Sequence, residues 1–273
     1  MASNSKMHIL LTGASGILGT EIVPVLEKQI LNGALHLFTE DIRDADKVKL
    51  FFNSAPKFTH LVHAAAVVPI ETVNADPRGA YQTNVLGTGN VVSGFLNSNP
   101  GAHVTYVSSS HVYRAKQSPI FEDDCLDPLG AYGRTKLAGE YIATDLANSL
   151  GGSLCVARVF SLYSNKQKGS FLLPSIAQKL LEADGRGAIE IFGWNNVRDF
   201  SSADFHARAL AHLSTLNLTG TFNVGSGIGR SILDFGLTHF DFELLNKEKN
   251  FDLDATTIVA DTSKLVSSGF EYE

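Results

Sequence analysis

Tyr132 and Lys136 stand four positions apart in Tyr132-Gly-Arg-Thr-Lys136. At the start of a helix, that spacing puts both side chains on one face, within reach of one ligand. An ammonium group beside a phenol favours the phenolate, so the pair could exchange a proton with a hydroxyl or carbonyl near neutral pH. Upstream, Val104-Thr-Tyr-Val-Ser-Ser-Ser110 reads as a buried strand delivering hydroxyls at its C-terminal end, where open parallel sheets bind ligands. Ser109 can supply a neutral hydrogen bond to a reacting oxygen there, although a serine run after a strand is more often only a polar loop. A third group of residues suits phosphate. His8-Ile-Leu-Leu11 reads as a strand running into Thr12-Gly13-Ala14-Ser15-Gly16-Ile17-Leu18-Gly19 and then an amphipathic helix. Gly13 suits a tight turn, Gly16 a close approach of backbone to pyrophosphate at a helix N-terminus, and Gly19 close helix-sheet packing. A Walker-type nucleoside triphosphatase needs Gly-Lys-Ser/Thr where this chain has Gly19-Thr20-Glu21, so that option fails.

These residues need a scaffold, and the apolar pattern supplies one. Strand candidates are His8 to Leu11, Leu35 to Phe38, Leu61 to His63, Val104 to Val107 and Leu154 to Val159. Between them Ile17 to Leu31, Ala45 to Asn53, Pro77 to Asn97 and Tyr132 to Leu150 carry apolar residues at spacings of three and four, the pattern of helices laid on a sheet. Strand-helix alternation predicts an α/β fold, a Rossmann-type doubly wound parallel sheet spanning 1–160. After Phe160 the regularity weakens around a helix at Leu172 to Leu181, flanked by loops at Ser164 to Ser170 and Glu182 to Ala188. This predicts a smaller C-terminal substrate-binding lobe over 161–273, with the strand Thr221 to Val224 returning to the main sheet.

Composition removes several classes of function. The 22 Lys and Arg against 28 Asp and Glu give a net charge of -6, and the basic residues are scattered, so nucleic acid is not an expected partner. Cys125 and Cys155 are the only cysteines and sit at no metal-ligand spacing, so neither a disulfide framework nor a metal site is expected, and a reducing compartment fits. The first apolar run, Met7 to Leu11, is far too short for a signal peptide or a membrane span, which makes the cytoplasm the expected location.

Taken together, the motifs resemble the extended branch of the short-chain dehydrogenase/reductases, the NAD-dependent epimerase/dehydratase family. Besides the glycine turn, Asp41-Ile42-Arg43-Asp44 resembles the acidic segment that contacts adenine, His63-Ala64-Ala65-Ala66 the loop beneath the cofactor, and Asn84-Val-Leu-Gly-Thr88 the following helix. Ser108-Ser109-Ser110-His111-Val112-Tyr113 matches the active-site strand, Arg158-Val-Phe160-Ser161-Leu-Tyr163 the segment after it, Arg198-Asp-Phe200 a phosphate-binding motif, and Asn223-Val-Gly-Ser-Gly227 the last core strand.

The resemblance implies roles for these residues. Tyr132 is the proton donor or acceptor, Lys136 binds the nicotinamide ribose and tunes the tyrosine, and Ser109 takes the catalytic hydroxyl slot. Gly13, Ser15, Gly16, Ile17, Gly19, Asp41, Ile42, Ala64, Ala65, Ala66 and Phe160 join Tyr132 and Lys136 around the cofactor. Substrate is met by Ser109, Ser110 and Arg198, whose planar guanidinium suits a diphosphate. The alternative for Arg198 is a surface ion pair with Asp199. His111 occupies a slot that holds a second acid/base in some relatives, and an imidazole's ordinary pKa suits such a role. A hydrogen-bonded structural histidine is the alternative. The family asparagine and glycine fall on Ser161 and Ser164. Glu40 favours NAD and Arg43 keeps NADP open.

The resemblance further implies a nucleotide-sugar substrate and a homodimer joined through the helices of Pro77 to Asn97 and Tyr132 to Leu150, faces that could equally pack within the chain. Pro128-Leu-Gly-Ala-Tyr-Gly-Arg-Thr-Lys-Leu-Ala-Gly-Glu140 is similar to the dTDP-4-dehydrorhamnose reductase group, whereas Arg198-Asp-Phe200 is more epimerase-like. Dehydration is least favoured because Ser110-His111 replaces the usual Asp-Glu pair. The sequence ranking is thus reduction of a 4-keto sugar nucleotide first, NAD-dependent 4-epimerisation second, and a non-catalytic dinucleotide-binding regulator third.

Overall fold

Ile9, Leu10 and Leu11 are all completely buried, so their strand must be covered on both faces, as central strands of parallel sheets are. Burying each such side chain contributes about 1.5–3 kcal/mol. In the computed structural model, which describes residues 6–128, 130–183 and 187–272, this strand is β1 (Met7–Thr12). The chain continues through α1 (Ile17–Gln29), β2 (Gly33–Phe38), α2 (Ala45–Ser54), β3 (His60–His63), α3 (Ile70–Ala75), α4 (Pro77–Tyr81) and α5 (Thr88–Ser98). It then forms β4 (His103–Ser109), α6 (Gly130–Leu150) and β5 (Ser153–Val159). Strands β1 to β5 join β9 (Gly220–Val224) in one parallel sheet of order β2-β1-β3-β4-β5-β9.

Two apolar cores cover the sheet. One face packs on Ile22 and Leu26 of α1 and on Phe205, Leu210 and Leu213 of α8 (Ala203–Thr215). The other packs on Val48 and Phe52 of α2, Val91 and Phe95 of α5, and Ala143 and Ala147 of α6. The strand order reverses between β1 and β3, and the crevice at such a switch point, beyond the C-terminal strand ends, is where doubly wound sheets take ligands.

The expected helix Pro77 to Asn97 is interrupted. Between α4 and α5 the segment Gln82–Gly87 winds as a π-helix, a widening that propensity does not reveal and that frequently marks functional sites. Helices α3 and α8 are additions to the sequence reading. Ser202 caps α8 by accepting from the Phe205 amide at 3.1 Å, an N-terminal signal present in the sequence.

The remaining elements build an outlying part. Its strands are β6 (Ser161–Tyr163), β7 (Ala188–Ile189), β8 (Val197–Ser202), β10 (Gly229–Ser231), β11 (Glu243–Leu244) and β12 (Thr257–Ile258), with α7 (Leu172–Glu182) and α9 (Ile232–Leu237) between them. β8 pairs with β6, β10 and β12, and β7 pairs with β11. Within 161–273, β9 is a strand of the main sheet and α8 packs on it, as does Leu265 of α10 (Ser263–Ser267), so the chain passes between the two parts more than once. Residues 184–186 of the expected loop, and Leu129, lie outside the described residues.

Candidate active site

At the mouth of β1 the glycine turn is closed against the chain leaving β3. Gly13 has φ +75°, and a Cβ there would lie 2.6 Å from the Ala65 amide nitrogen. A Cβ on Gly19 would lie 2.1 Å from the Gly13 carbonyl oxygen, so it is the turn itself, more than the sheet, that requires Gly19. Gly16 is the N-cap of α1, with no side chain capping the first turn and no acidic residue in it. Its amides and the positive end of the helix dipole therefore suit phosphate oxygens. These features fit a dinucleotide, and Gly13, Ser15, Gly16 and Ile17 would hold its pyrophosphate.

A buried polar chain fixes this turn to the catalytic helix. The Ala65 amide donates to Thr12 Oγ1 at 3.2 Å, Thr12 Oγ1 meets His63 Nδ1 at 2.8 Å, and His63 Nε2 meets Thr88 Oγ1 at 3.0 Å. Thr88 donates onward to the Asn84 carbonyl. Because the Thr88 proton is committed there, His63 must donate from Nε2 and accept at Nδ1. Burial pushes its pKa down to about 3, with Lys136 adding to the effect, so the neutral tautomer persists. Asn84, in the π-helical segment, exchanges hydrogen bonds with the Val67 backbone and donates to Thr135 Oγ1. Thr12, His63 and Asn84 carry this framework; the sequence motifs contained all three, but not the hydrogen bonds that join them.

The adenine side is less uniform than the sequence implied. Asp41 is exposed and grips Arg43, whose Nε donates to its two oxygens at 3.0 Å each. That guanidinium holds the carboxyl down at about 2. The Ile42 side chain is buried against Gly87, and its carbonyl accepts from Asn90, so of the pair only Asp41 faces outward.

Tyr132, Lys136, Ser109 and His111 converge. The inner face of α6 carries Tyr132, Gly133, Lys136, Gly139 and Glu140, all buried. A Cβ on Gly133 would lie 2.2 Å from the His111 carbonyl oxygen, so the glycine after the tyrosine lets α6 dock on the end of β4. Ser109 Oγ lies 3.1 Å from His111 Nδ1, and the His111 ring meets the Tyr132 ring edge-on at 5.4 Å.

Two electrostatic expectations are corrected. Burial pushes the Tyr132 phenol up to about 12 while the Ser109 hydroxyl draws it down, and burial pushes Lys136 down to about 7 while Glu140 opposes. The lysine therefore does not create a phenolate in the protein alone, because its Nζ sits 4.5 Å over the Tyr106 ring and desolvation outweighs attraction. His111 does not titrate near neutrality either. Burial, aided by the Arg198 charge, lowers it to about 4, which leaves a neutral hydrogen-bonding imidazole.

Arg198 is not paired with Asp199. Its guanidinium donates to the Val197 and Thr256 carbonyls at 2.8 and 2.6 Å and to Thr256 Oγ1 at 2.7 Å. Asp199, fully buried, instead accepts from the Ser226, Gly227 and Ala260 amides. Among the described residues no carboxylate forms an ion pair with Arg198, and its charge is a secondary cause of the lowered His111 pKa. Ser110 and Phe160 are both buried at the C-terminal ends of β4 and β5. Ala64 donates from its amide to the Thr12 carbonyl, and the half-buried Ala66 follows it toward Asn84.

Comparison with known proteins bears on the chain as a whole. A model described as the NAD dependent epimerase/dehydratase family matches residues 9–225. UDP-glucuronate 4-epimerase 3 of Arabidopsis thaliana is 29% identical over 230 residues, 72% of this chain and 52% of that protein. Methionine adenosyltransferase 2 subunit beta of Rattus norvegicus is 30% identical over 168 residues, 59% of this chain and 48% of that protein. The chain thus spans about half the length of these two relatives. The structure of Thermus thermophilus UDP-glucose 4-epimerase complexed with NAD superposes with a TM-score of 0.80 at 20% identity, covering 97% of this chain and 94% of that one, a likeness of fold.

Proposed function

Since the chain belongs to the NAD-dependent epimerase/dehydratase family, we propose that it is an NAD-dependent 4-epimerase of a nucleoside-diphosphate sugar, acting on a UDP-hexose or UDP-hexuronate. The observation that carries the proposal is the convergence of Ser109, Tyr132 and Lys136 beside an uncapped glycine turn. The cofactor would accept a hydride from C4 and return it. Tyr132 would take the proton of the 4-hydroxyl and give it back, while Ser109 steadies that oxygen with a neutral hydrogen bond. Lys136 would hold the nicotinamide ribose, and Arg198 the diphosphate. The pairing of Arg43 with Asp41 leaves a 2′-phosphate to compete with an internal carboxylate, which favours NAD over NADP.

This reading reverses the sequence ranking, which put reduction of a 4-keto sugar first. Relatives named as 4-epimerases support the change. Reduction stays second on the reductase-like segment up to Glu140. A dinucleotide-binding regulator stays third.

The test is to incubate the purified protein with UDP-glucose, UDP-galactose and the two UDP-hexuronates, following sugar product by chromatography and reduced nicotinamide by absorbance. Product without net cofactor change supports epimerisation, whereas stoichiometric oxidation of added NADH or NADPH with 4-keto substrates identifies a reductase. Cofactor binding without turnover on any sugar nucleotide would point to the regulator.

A further inference from the structure

Glu140 follows Lys136 by four positions on the same buried face of α6. Its carboxylate takes two hydrogen bonds from Arg158 of β5, Nε to Oε1 at 3.0 Å and NH2 to Oε2 at 2.8 Å, and one from the Ser108 hydroxyl of β4. Both partners of the ion pair are about 6% exposed. Arg158 also donates to the Tyr113 hydroxyl at 2.8 Å and to the Glu122 carbonyl at 3.0 Å, and Tyr113 donates to Asn223 of β9 at 2.7 Å. One helix and two strands thus meet at a single carboxylate, one helical turn from Lys136 and bonded to the neighbour of Ser109, while Tyr113 links Arg158 on to a third strand.

We propose that Glu140 is a positioning residue for the reaction, a clamp that fixes the Tyr132-Lys136 face of α6 against β4 and β5 and holds a carboxylate one helical turn from Lys136. The clamp rests on the functional reading above only for what that lysine then does. A bidentate guanidinium-carboxylate pair fixes both distance and rotation, so α6 cannot slide without breaking it. The titratable groups facing Lys136 are Tyr132 and Glu140 on its own helix, His63 on β3 and Tyr106 on β4, while His111 lies against Tyr132 and Arg158 is bound to Glu140. Of these only Glu140 opposes the desolvation of the ammonium. A carboxylate whose charge did not reach Lys136 would leave the lysine's titration unchanged.

The test reads that titration directly, without cofactor or substrate. The protein, labelled with carbon-13 at lysine Cε, is titrated from pH 5 to 11 by NMR, and the Lys136 signal is assigned by its loss in Lys136→Met. Glu140→Gln should move the Lys136 midpoint down by about one pH unit. That variant leaves Arg158 buried and uncompensated and could fail to fold, so Glu140→Gln combined with Arg158→Gln is measured alongside, with a smaller shift of the same sign expected. An unmoved midpoint in a folded variant overturns the proposal. NADH binding, followed by fluorescence on the same samples, should weaken at a lower pH in the variants than in the parent. If the parent binds no NADH, the functional reading fails, while the lysine titration still decides the role of Glu140.

Discussion

Tyr132 has a pKa near 12 in a pocket shared with a neutral His111 and with a Lys136 held near 7. A phenol this hard to ionise is a proton carrier only when positive charge arrives beside it, as an oxidised nicotinamide would bring. Replacing Tyr132 by Phe removes the proton without removing the ring that packs with Val73 and Ala80. Turnover should then fall by roughly 10²–10⁴-fold, with NADH affinity and melting temperature near those of the parent. Full activity in that variant would sink the assigned role. Arg198 makes a contrasting case, because a group that binds the diphosphate equally in ground and transition states changes KM and leaves kcat alone. Arg198→Met should therefore raise KM for the sugar nucleotide with kcat little altered, and a fall in kcat at constant KM would move Arg198 from substrate holding to the chemistry itself.

The glycine turn governs the first βαβ unit. At Gly13 the backbone is left-handed and the space is filled by the Ala64–Ala65 backbone, so Gly13→Ala adds conformational strain of about 1–2 kcal/mol to a collision that only movement of the β3 exit can relieve. The urea midpoint should drop and NADH binding should weaken together, and a variant with unchanged midpoint would show that the turn can relax. This turn was legible in the sequence because glycine spacing between a strand and a helix reports backbone geometry directly, and so was the parallel sheet, whose strands are continuous apolar runs. Tyr132 and Lys136 were legible as partners because a helix fixes the spacing of four. The charge state of Tyr132, Lys136 and His111 was not, since it depends on burial by residues distant in the chain, Tyr106 and Arg198 among them. The π-helical segment at Asn84 was hidden for a similar reason, because it is stabilised by Val67 and Thr135 from outside the helix.

Across the whole molecule, the buried histidines make stability depend on acidity in a window set by their environment. No helix among the described residues is long and apolar enough to cross a membrane, and the apolar faces are turned onto the central sheet, which also buries His60, His63 and His103; α8 adds His206. Burial lowers all four, His63 to about 3, and His103 and His206 to about 4, with His60 adding to the effect at His103 and hydrogen bonding opposing it at His206. The sign follows from linkage. A histidine whose folded pKa lies below its unfolded value binds no proton in the native state between the two values, while the unfolded chain does. As the pH falls from about 6.5 toward about 4, the unfolded state is therefore favoured progressively, by about 3 kcal/mol for a histidine such as His103 once the pH is near its folded value. Above about pH 5 ordinary carboxylates stay ionised, so in the upper part of the window the two effects separate. Urea unfolding at pH 7.5, 6.0 and 5.0 should give midpoints that fall steadily with an unchanged slope. His103→Gln, which keeps a polar group beside Ser153 and Thr105, should flatten the fall between pH 6 and 5. A midpoint constant down to pH 5 would mean that the sheet opens to water at its histidines and that they titrate alike in both states.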